Sequence, residues 1–509
     1  SARRRQRQTG RGPQGVRRIW HSRPAPRLAA LTFAAGAVAA LGHAPLYLWP
    51  VTLAGLAVLT RLVARVENGA GWIGLIGGMG YGAVALSWIV EPFLIEPETY
   101  GWMAPFALFF MALGLGLFWA CAALAARALS LRPPAFGFAL TLTAVEYLRG
   151  HILTGFPWAM PGHVWISTPV AQLGAWVGPT GLTLGLLLIA AGLSALRWRM
   201  VLGAGVTLAA GWACGLWTLS QPMPADRPAI LRLVQPNAEQ ALKWDPDQAR
   251  SFLDRLLIAT AAEPRPALVI WPETALPYLL ERHSDLAPMI AAAAQGVPVA
   301  LGAQREDGSR FWNSLTVIEP DGTLGARYDK HHLVPFGEYI PLGDLAFRLF
   351  GLRAFAAQQG AGYSAGDGAK LIDFGPAMGR ALPLICYEAV FPQDVNAAPK
   401  RPDWLLQITN DAWFGTLSGP FQHADQARMR AIEQGLPLVR VANTGVTAVY
   451  DARGQLRASL PFGTQGHLDA ALPAPLPATL FARWGEAPAL LLLAGLALLL
   501  IRRRATKYS

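Results

Sequence analysis

Seven long apolar stretches separated by short polar joints fill the first part of the chain, at about 28–45, 47–64, 70–91, 104–126, 134–148, 170–195 and 200–219. An eighth covers 480–501. Several approach the roughly 20 residues a helix needs to cross a bilayer. The first, second and fifth are shorter or interrupted by Gly and Pro. The pattern predicts a polytopic α-helical membrane domain. Between 222 and 478 the apolar runs shorten. Strands are predicted at 229–234, 267–271, 381–385, 404–409, 438–442 and 446–450, with a helix over 422–434. Pro320-Asp321-Gly322 joins 315–319 to 323–328 as a hairpin. Helices alternating with apolar strands indicate a layered α/β domain. The chain therefore divides into a basic tail (1–27), a membrane domain of about seven helices (28–221), an extramembrane α/β domain (222–478), and a last helix with a basic tail (479–509).

Composition agrees with membrane residence: 53% of residues are hydrophobic and only 15% are charged. The net charge of +11 is terminal in origin. Residues 1–27 hold nine arginines and no acid, and Arg502, Arg503, Arg504 and Lys507 close the chain. These thirteen charges exceed the net +11, so everything between is slightly acidic. A nucleic-acid-binding tail is the rival explanation. Arginines abutting apolar segments instead mark the cytoplasmic face of a membrane, and no nucleic-acid partner is expected. Eight crossings place both termini, Arg61, Arg65, Arg127, Arg132, Arg197 and Arg199 on one side, and Glu91, Glu96 and Glu98 on the other. The α/β domain then faces outward, which in a bacterium is the periplasm. A transporter would need ionisable groups within its spans, and only Glu146, beside Arg149, falls clearly inside one.

Three segments of the α/β domain carry candidate chemistry. Cys386, in Leu384-Ile385-Cys386-Tyr387-Glu388, is the domain's one cysteine, so no disulfide forms there. Cys121 and Cys214 lie in apolar segments and are predicted to be small buried hydrophobes. A cysteine leaving a buried strand can meet a helix N-terminus, where backbone N–H groups favour the thiolate. Glu273 ends another buried strand, in Trp271-Pro272-Glu273-Thr274. Partial desolvation there raises a carboxyl pKa and suits a general base, although a glutamate capping a helix looks the same in sequence. Lys330 ends the hairpin and can supply positive charge to an oxyanion, or be an ordinary surface lysine. His331 and His332 have no third ligand at sensible spacing, so no metal is expected. Asn410-Asp411 suggests a turn bonding its own backbone, and His423 a hydrogen-bonded structural histidine. Trp413 and Phe414 suit either an acyl cleft or core.

Glu273, Lys330 and Cys386, in that order and each at a strand end, resemble the nitrilase superfamily of carbon–nitrogen hydrolases over about 229–470. Further motifs resemble its apolipoprotein N-acyltransferase family along nearly the whole chain. They are Leu242-Lys243-Trp244, Leu333-Val334-Pro335-Phe336-Gly337-Glu338-Tyr339, Asn410-Asp411-Ala412-Trp413-Phe414-Gly415, Gln422-His423, and Arg440-Val441-Ala442-Asn443-Thr444-Gly445. The resemblance implies an αββα nitrilase-like sandwich beside the membrane helices, in a bacterial inner membrane. It implies Glu273 as base, Lys330 as oxyanion stabiliser and Cys386 as nucleophile, with Trp244, Glu338, Tyr387 and Glu388 also needed for activity. The partners it implies are a phospholipid acyl donor and a diacylglyceryl apolipoprotein acceptor, with surrounding membrane lipids. No metal or organic cofactor is expected, and the protein is expected to be a monomer. A membrane-anchored amidase with the same three residues is the alternative. The apolar stripe Phe347, Leu349, Phe350, Leu352 and Phe355, within 342–363, is a candidate lid, with packed core as its plain alternative.

Overall fold

A computed structural model describes residues 23–505 apart from Glu67, Trp244, Pro277 and 341–361. Trp244, most of both basic tails and nearly all of the candidate lid lie outside the described residues. Each of the eight apolar runs contains a helix: α1 (Pro26–Ala39), α2 (Trp49–Arg65), α3 (Ala70–Ala85), α4 (Ala104–Ala128), α5 (Pro134–Arg149), α6 (Gly174–Ser194), α7 (Trp198–Ser220) and, at the far end, α11 (Ala487–Ala505). Among the described residues, three helical stretches (97–128, 169–194 and 198–220) are long and apolar enough alone to cross a membrane. Residues 70–85 with 87–94 form a fourth candidate, bent by 49°. Proline opens α1, α2, α4 and α5, where its missing N–H costs no helical hydrogen bond. Small residues set the closest packing. A Cβ on Gly36 of α1 would lie 1.9 Å from the Gly77 carbonyl of α3, so only glycine allows these backbones to touch.

Glu146 is buried in this bundle and accepts from Trp119 Nε1 at 2.8 Å and from Arg149 at 2.5 Å. Cys121 departs from expectation: it is exposed on α4, and Cys214 is half-buried. Its neighbours Trp119, Ala120, Ala122 and Ala123 face the bundle. In a membrane helix the outer face is apolar too, so hydropathy alone does not separate core from lipid-facing positions.

The α/β domain is a four-layer sandwich. One sheet has the order β12 (Gly466–Ala471), β1 (Ile230–Gln235), β2 (Leu268–Ile270), β3 (Val299–Asp307), β4 (Arg310–Ile318), β5 (Leu324–Asp329). The other runs β11 (Leu456–Leu460), β10 (Thr447–Tyr450), β9 (Leu438–Ala442), β8 (Trp404–Thr409), β7 (Arg380–Ile385), β6 (Ile372–Asp373). Leu231, Leu233, Leu268 and Ile270 from the first sheet meet Ile385, Leu406, Ile408 and Val441 from the second in a shared core. α8 (Pro246–Ala261) and α9 (Leu286–Ala294) cover the first sheet's outer face, and α10 (Gly419–Gln434) covers the second's. β1–β2–β3 and β7–β8–β9 are parallel, so their carboxyl ends collect at common edges, where α/β proteins place their sites. The segment after β7 packs into the helical bundle: Tyr387, Val390 and Phe391 share one hydrophobic cluster with residues of α1 to α7.

Candidate active site

Glu273, Lys330 and Cys386 leave β2, β5 and β7 and are brought together between the two sheets, 6%, 1% and 5% exposed. Glu273 crosses β3 at Gly302, where a Cβ would sit 2.6 Å from the Glu273 Cα. It caps no helix. Its Oε1 accepts from Asn313 Nδ2 at 2.6 Å and its Oε2 from the Asn410 backbone N–H at 2.8 Å. Lys330 Nζ lies 3.9 Å from Glu273 Oε1 and 2.8 Å from Glu338 Oε2. Glu338 is itself held by Asn313 Nδ2 at 3.1 Å and the Val334 N–H at 2.9 Å. Two carboxylates thus share the buried Lys330 ammonium.

The electrostatics follow from that count. Burial raises the Glu273 pKa, and the nearby Glu338 charge adds to this, while Lys330, Asn313 and the Asn410 N–H oppose it. Burial pulls the Lys330 pKa down, but Glu338 and Glu273 outweigh it, so the net shift is upward and the ammonium persists. Burial pushes the Cys386 thiol pKa up, as does the Glu273 charge, against Lys330 and a hydrogen bond with Thr409. The resting sulfur is therefore a thiol that needs a base, and a carboxylate with raised proton affinity stands beside it.

Cys386 is held in the left-handed region, φ 51°, and begins a 3-10 turn, Cys386–Val390, rather than an α-helix. Glu388 ties this turn to Lys330. Its Oε2 accepts from the Ile385 N–H at 2.7 Å; its Oε1 accepts from Tyr328 Oη at 2.7 Å and the His331 N–H at 2.9 Å. Burial would raise the Glu388 pKa, but the His331 imidazole foremost, its Nδ1 2.8 Å from Oε1, with the Ile385 N–H and Tyr328, brings it below the usual carboxylate range. Tyr387 is buried, with its hydroxyl 3.5 Å from the Gly155 carbonyl of the membrane half. His332 also turns to that half, with Nδ1 2.7 Å from Asp394 and Nε2 3.0 Å from the Thr154 carbonyl.

Several residues were not singled out from sequence. Asn313 orients both carboxylates, yet nothing marks it on β4 except strand alternation. Lys243 is buried, donates to Thr274 Oγ1 at 3.0 Å, and burial lowers its pKa to about 8 despite the Glu273 charge. The motif Leu242-Lys243-Trp244 held that signal. Asn410 and Asp411 do not form a turn bonding its own backbone. Asn410 bridges Gln240 and Asn443, and Asp411 binds His423 and Arg440, because both side chains are buried between long-range partners. His423 is the buried, hydrogen-bonded histidine expected. Phe414 packs against Trp88, Trp158 and His423.

Family profiles agree with this architecture. Carbon-nitrogen hydrolase matches residues 229–477, so the sandwich is a domain of that class. Apolipoprotein N-acyltransferase N-terminal domain matches residues 35–192. The apolipoprotein N-acyltransferase of Bradyrhizobium diazoefficiens is 37% identical over 94% of this chain and 95% of its own length. That of Caulobacter vibrioides is 38% identical over 92% of this chain and 93% of its own. Among solved structures, a CN-hydrolase superfamily protein of Xanthomonas campestris, with an arsenic adduct in its active site, is 22% identical, with TM-score 0.35, over 49% of this chain and 91% of its own. The chain belongs to the apolipoprotein N-acyltransferase family. It is an acyltransferase, and the match over 35–192 favours this over a membrane-anchored amidase.

Proposed function

We propose that Cys386 carries an acyl group from a phospholipid to the α-amino group of a diacylglyceryl-modified N-terminal cysteine, with Glu273 as base and Lys330 as oxyanion stabiliser. The observation that carries this is a thiol and a carboxylate buried at neighbouring strand ends, with an ammonium 3.9 Å from that carboxylate. Glu273 takes the thiol proton as sulfur attacks the donor's ester carbonyl. The carbonyl's electron pair becomes an oxyanion facing Lys330 and the Tyr387 N–H. Collapse breaks the ester bond; the lyso-phospholipid oxygen leaves with the proton from Glu273, and a thioester remains. The amine then attacks that thioester, gives a proton to Glu273, and expels the sulfur, which recovers the proton. The products are an amide and a free thiol, and the kinetics are ping-pong. Glu338 keeps Lys330 charged, and Glu388 fixes the distance between the Lys330 and Cys386 turns. By the family resemblance Trp244 is a supporting or substrate-binding position.

Loop charges support a periplasmic sandwich with both termini in the cytoplasm and domain limits near 28, 222 and 479. Water must be kept from the thioester, and the stripe from Phe347 to Phe355 is our candidate for that task. The test is reconstitution in phospholipid vesicles with a diacylglyceryl-cysteine peptide. Lyso-phospholipid and N-acyl peptide should appear one for one. Ammonia released from a small amide without lipid, and no peptide acylation, would contradict the proposal.

A further inference from the structure

The Cys386 carbonyl points into a buried polar cluster. Two nitrogens meet it: His423 Nε2 at 3.0 Å and Gln407 Nε2 at 3.1 Å. These two lie 3.2 Å apart. His423 Nδ1 lies 2.9 Å from Asp411 Oδ1 and 3.2 Å from Arg440 Nη2; with the Nε2–H given to the carbonyl, Nδ1 accepts from Arg440, which Asp411 holds in turn. Asp411 accepts from Thr409 Oγ1 at 3.0 Å and from Arg440 at 2.8 Å. All five side chains are fully buried. A Cβ on Gly445 would lie 2.0 Å from Asp411 Oδ2, so the chain opposite is pared to glycine to admit the carboxylate. None of the proton transfers described above passes through this cluster.

Its position gives it a task. The Cys386 carbonyl and the Tyr387 N–H belong to one planar trans peptide, so they point in opposite directions. Whatever holds the carbonyl aims the N–H. Cys386 sits at φ 51°, a left-handed conformation that a cysteine adopts only when its surroundings enforce it. We infer that Asp411, His423 and Gln407 form a clamp on the Cys386 carbonyl that keeps the Tyr387 N–H turned toward the oxyanion. They are positioning residues and touch no reacting atom. This inference rests on the proposed function, which makes the Tyr387 N–H an oxyanion donor.

The clamp is tested with Gln407→Leu and His423→Leu in the full-length protein. Without the clamp the peptide is free to turn and the oxyanion loses a donor. Such a misplacement costs about 100-fold in kcat. KM for phospholipid and the rate of Cys386 alkylation by iodoacetamide should stay within about threefold of wild type, because the thiol and its base are untouched; a loss of donor alone acts on the transition state. The double variant should be no worse than the poorer single, since the two nitrogens act as a unit. His423→Gln, which keeps an amide within reach of the carbonyl, should recover activity to within about tenfold of wild type. Unchanged kcat in a folded Leu variant overturns the inference. So does an equal fall in alkylation and kcat, which would mean the cluster merely holds the nucleophile's fold. If the Leu variants do not fold, His423→Gln decides alone: a folded protein with a 100-fold loss contradicts the clamp, and near-normal kcat supports it. Absence of any acyl adduct on wild-type Cys386 instead contradicts the proposed function and is seen separately.

Discussion

Two of this protein's buried ion clusters do different things. In the helical domain, Glu146 and Arg149 pair one to one. Trp119 takes the second carboxylate oxygen, and the guanidinium also donates to the Phe156 and Trp158 carbonyls. The charge is balanced and no nucleophile stands beside it. In the sandwich, Glu273 and Glu338 share the single ammonium of Lys330, and a thiol completes the group. Lys243, also buried, feels the Glu273 charge, yet burial leaves Glu273 with raised proton affinity, so a proton has somewhere to go. Burial alone does not make a charged cluster reactive; a carboxylate of raised proton affinity next to a sulfur does.

Removing the sulfur should have the largest effect: Cys386→Ala should abolish acyl transfer, measured as lyso-phospholipid release. Lys330→Ala should cost about 1000-fold in kcat, as for loss of an oxyanion donor in other enzymes. The balanced pair should answer differently. Arg149→Met leaves a lone buried carboxylate and should cost about 3–5 kcal/mol of stability, read by thermal unfolding in detergent. Its folded fraction should lose far less activity than Lys330→Ala. If Arg149→Met proved catalytically dead but as stable as wild type, the contrast between the clusters would be broken. A smaller effect concerns pH. Glu273 must be ionised to act, and its pKa lies above the usual 4.5, chiefly through burial. Activity should therefore rise with pH through a value above 4.5. Asn313→Leu removes a hydrogen bond that favours the carboxylate, so this acid limb should move to higher pH in kcat/KM profiles. Smallest of all, Cys121→Ser at an exposed site should shift stability by no more than about 0.5 kcal/mol and leave acyl transfer intact.

The strand ends carrying Glu273 and Cys386 were legible because each follows a run whose apolar residues are buried, whereas the strand before Lys330 is mostly exposed and only its hairpin turn marks it. So was the two-part architecture, since hydropathy period and length differ so sharply at about 222. What remained hidden depends on distant pairing. β12 lies antiparallel to β1, with Ile230 opposite Ala471, and no local pattern announces it. β3 reads weakly because Ala300, Gly302 and Ala303 are small, and their smallness is what lets Glu273 cross. Asn313 and Gln407 are ordinary polar strand residues until the two sheets face each other. The exposure of Cys121 was misjudged because lipid and protein core select the same residue types.

The central claim is that sulfur 386 bears the acyl group between the two halves of the reaction. Intact-mass spectrometry of the purified protein, incubated with a phospholipid of defined chains and no acceptor, tests it most directly. The account predicts one added acyl group, mapped to Cys386 and discharged by a diacylglyceryl-cysteine peptide. An adduct that persists in Cys386→Ala, or transfer that proceeds with no adduct on that cysteine, would contradict it.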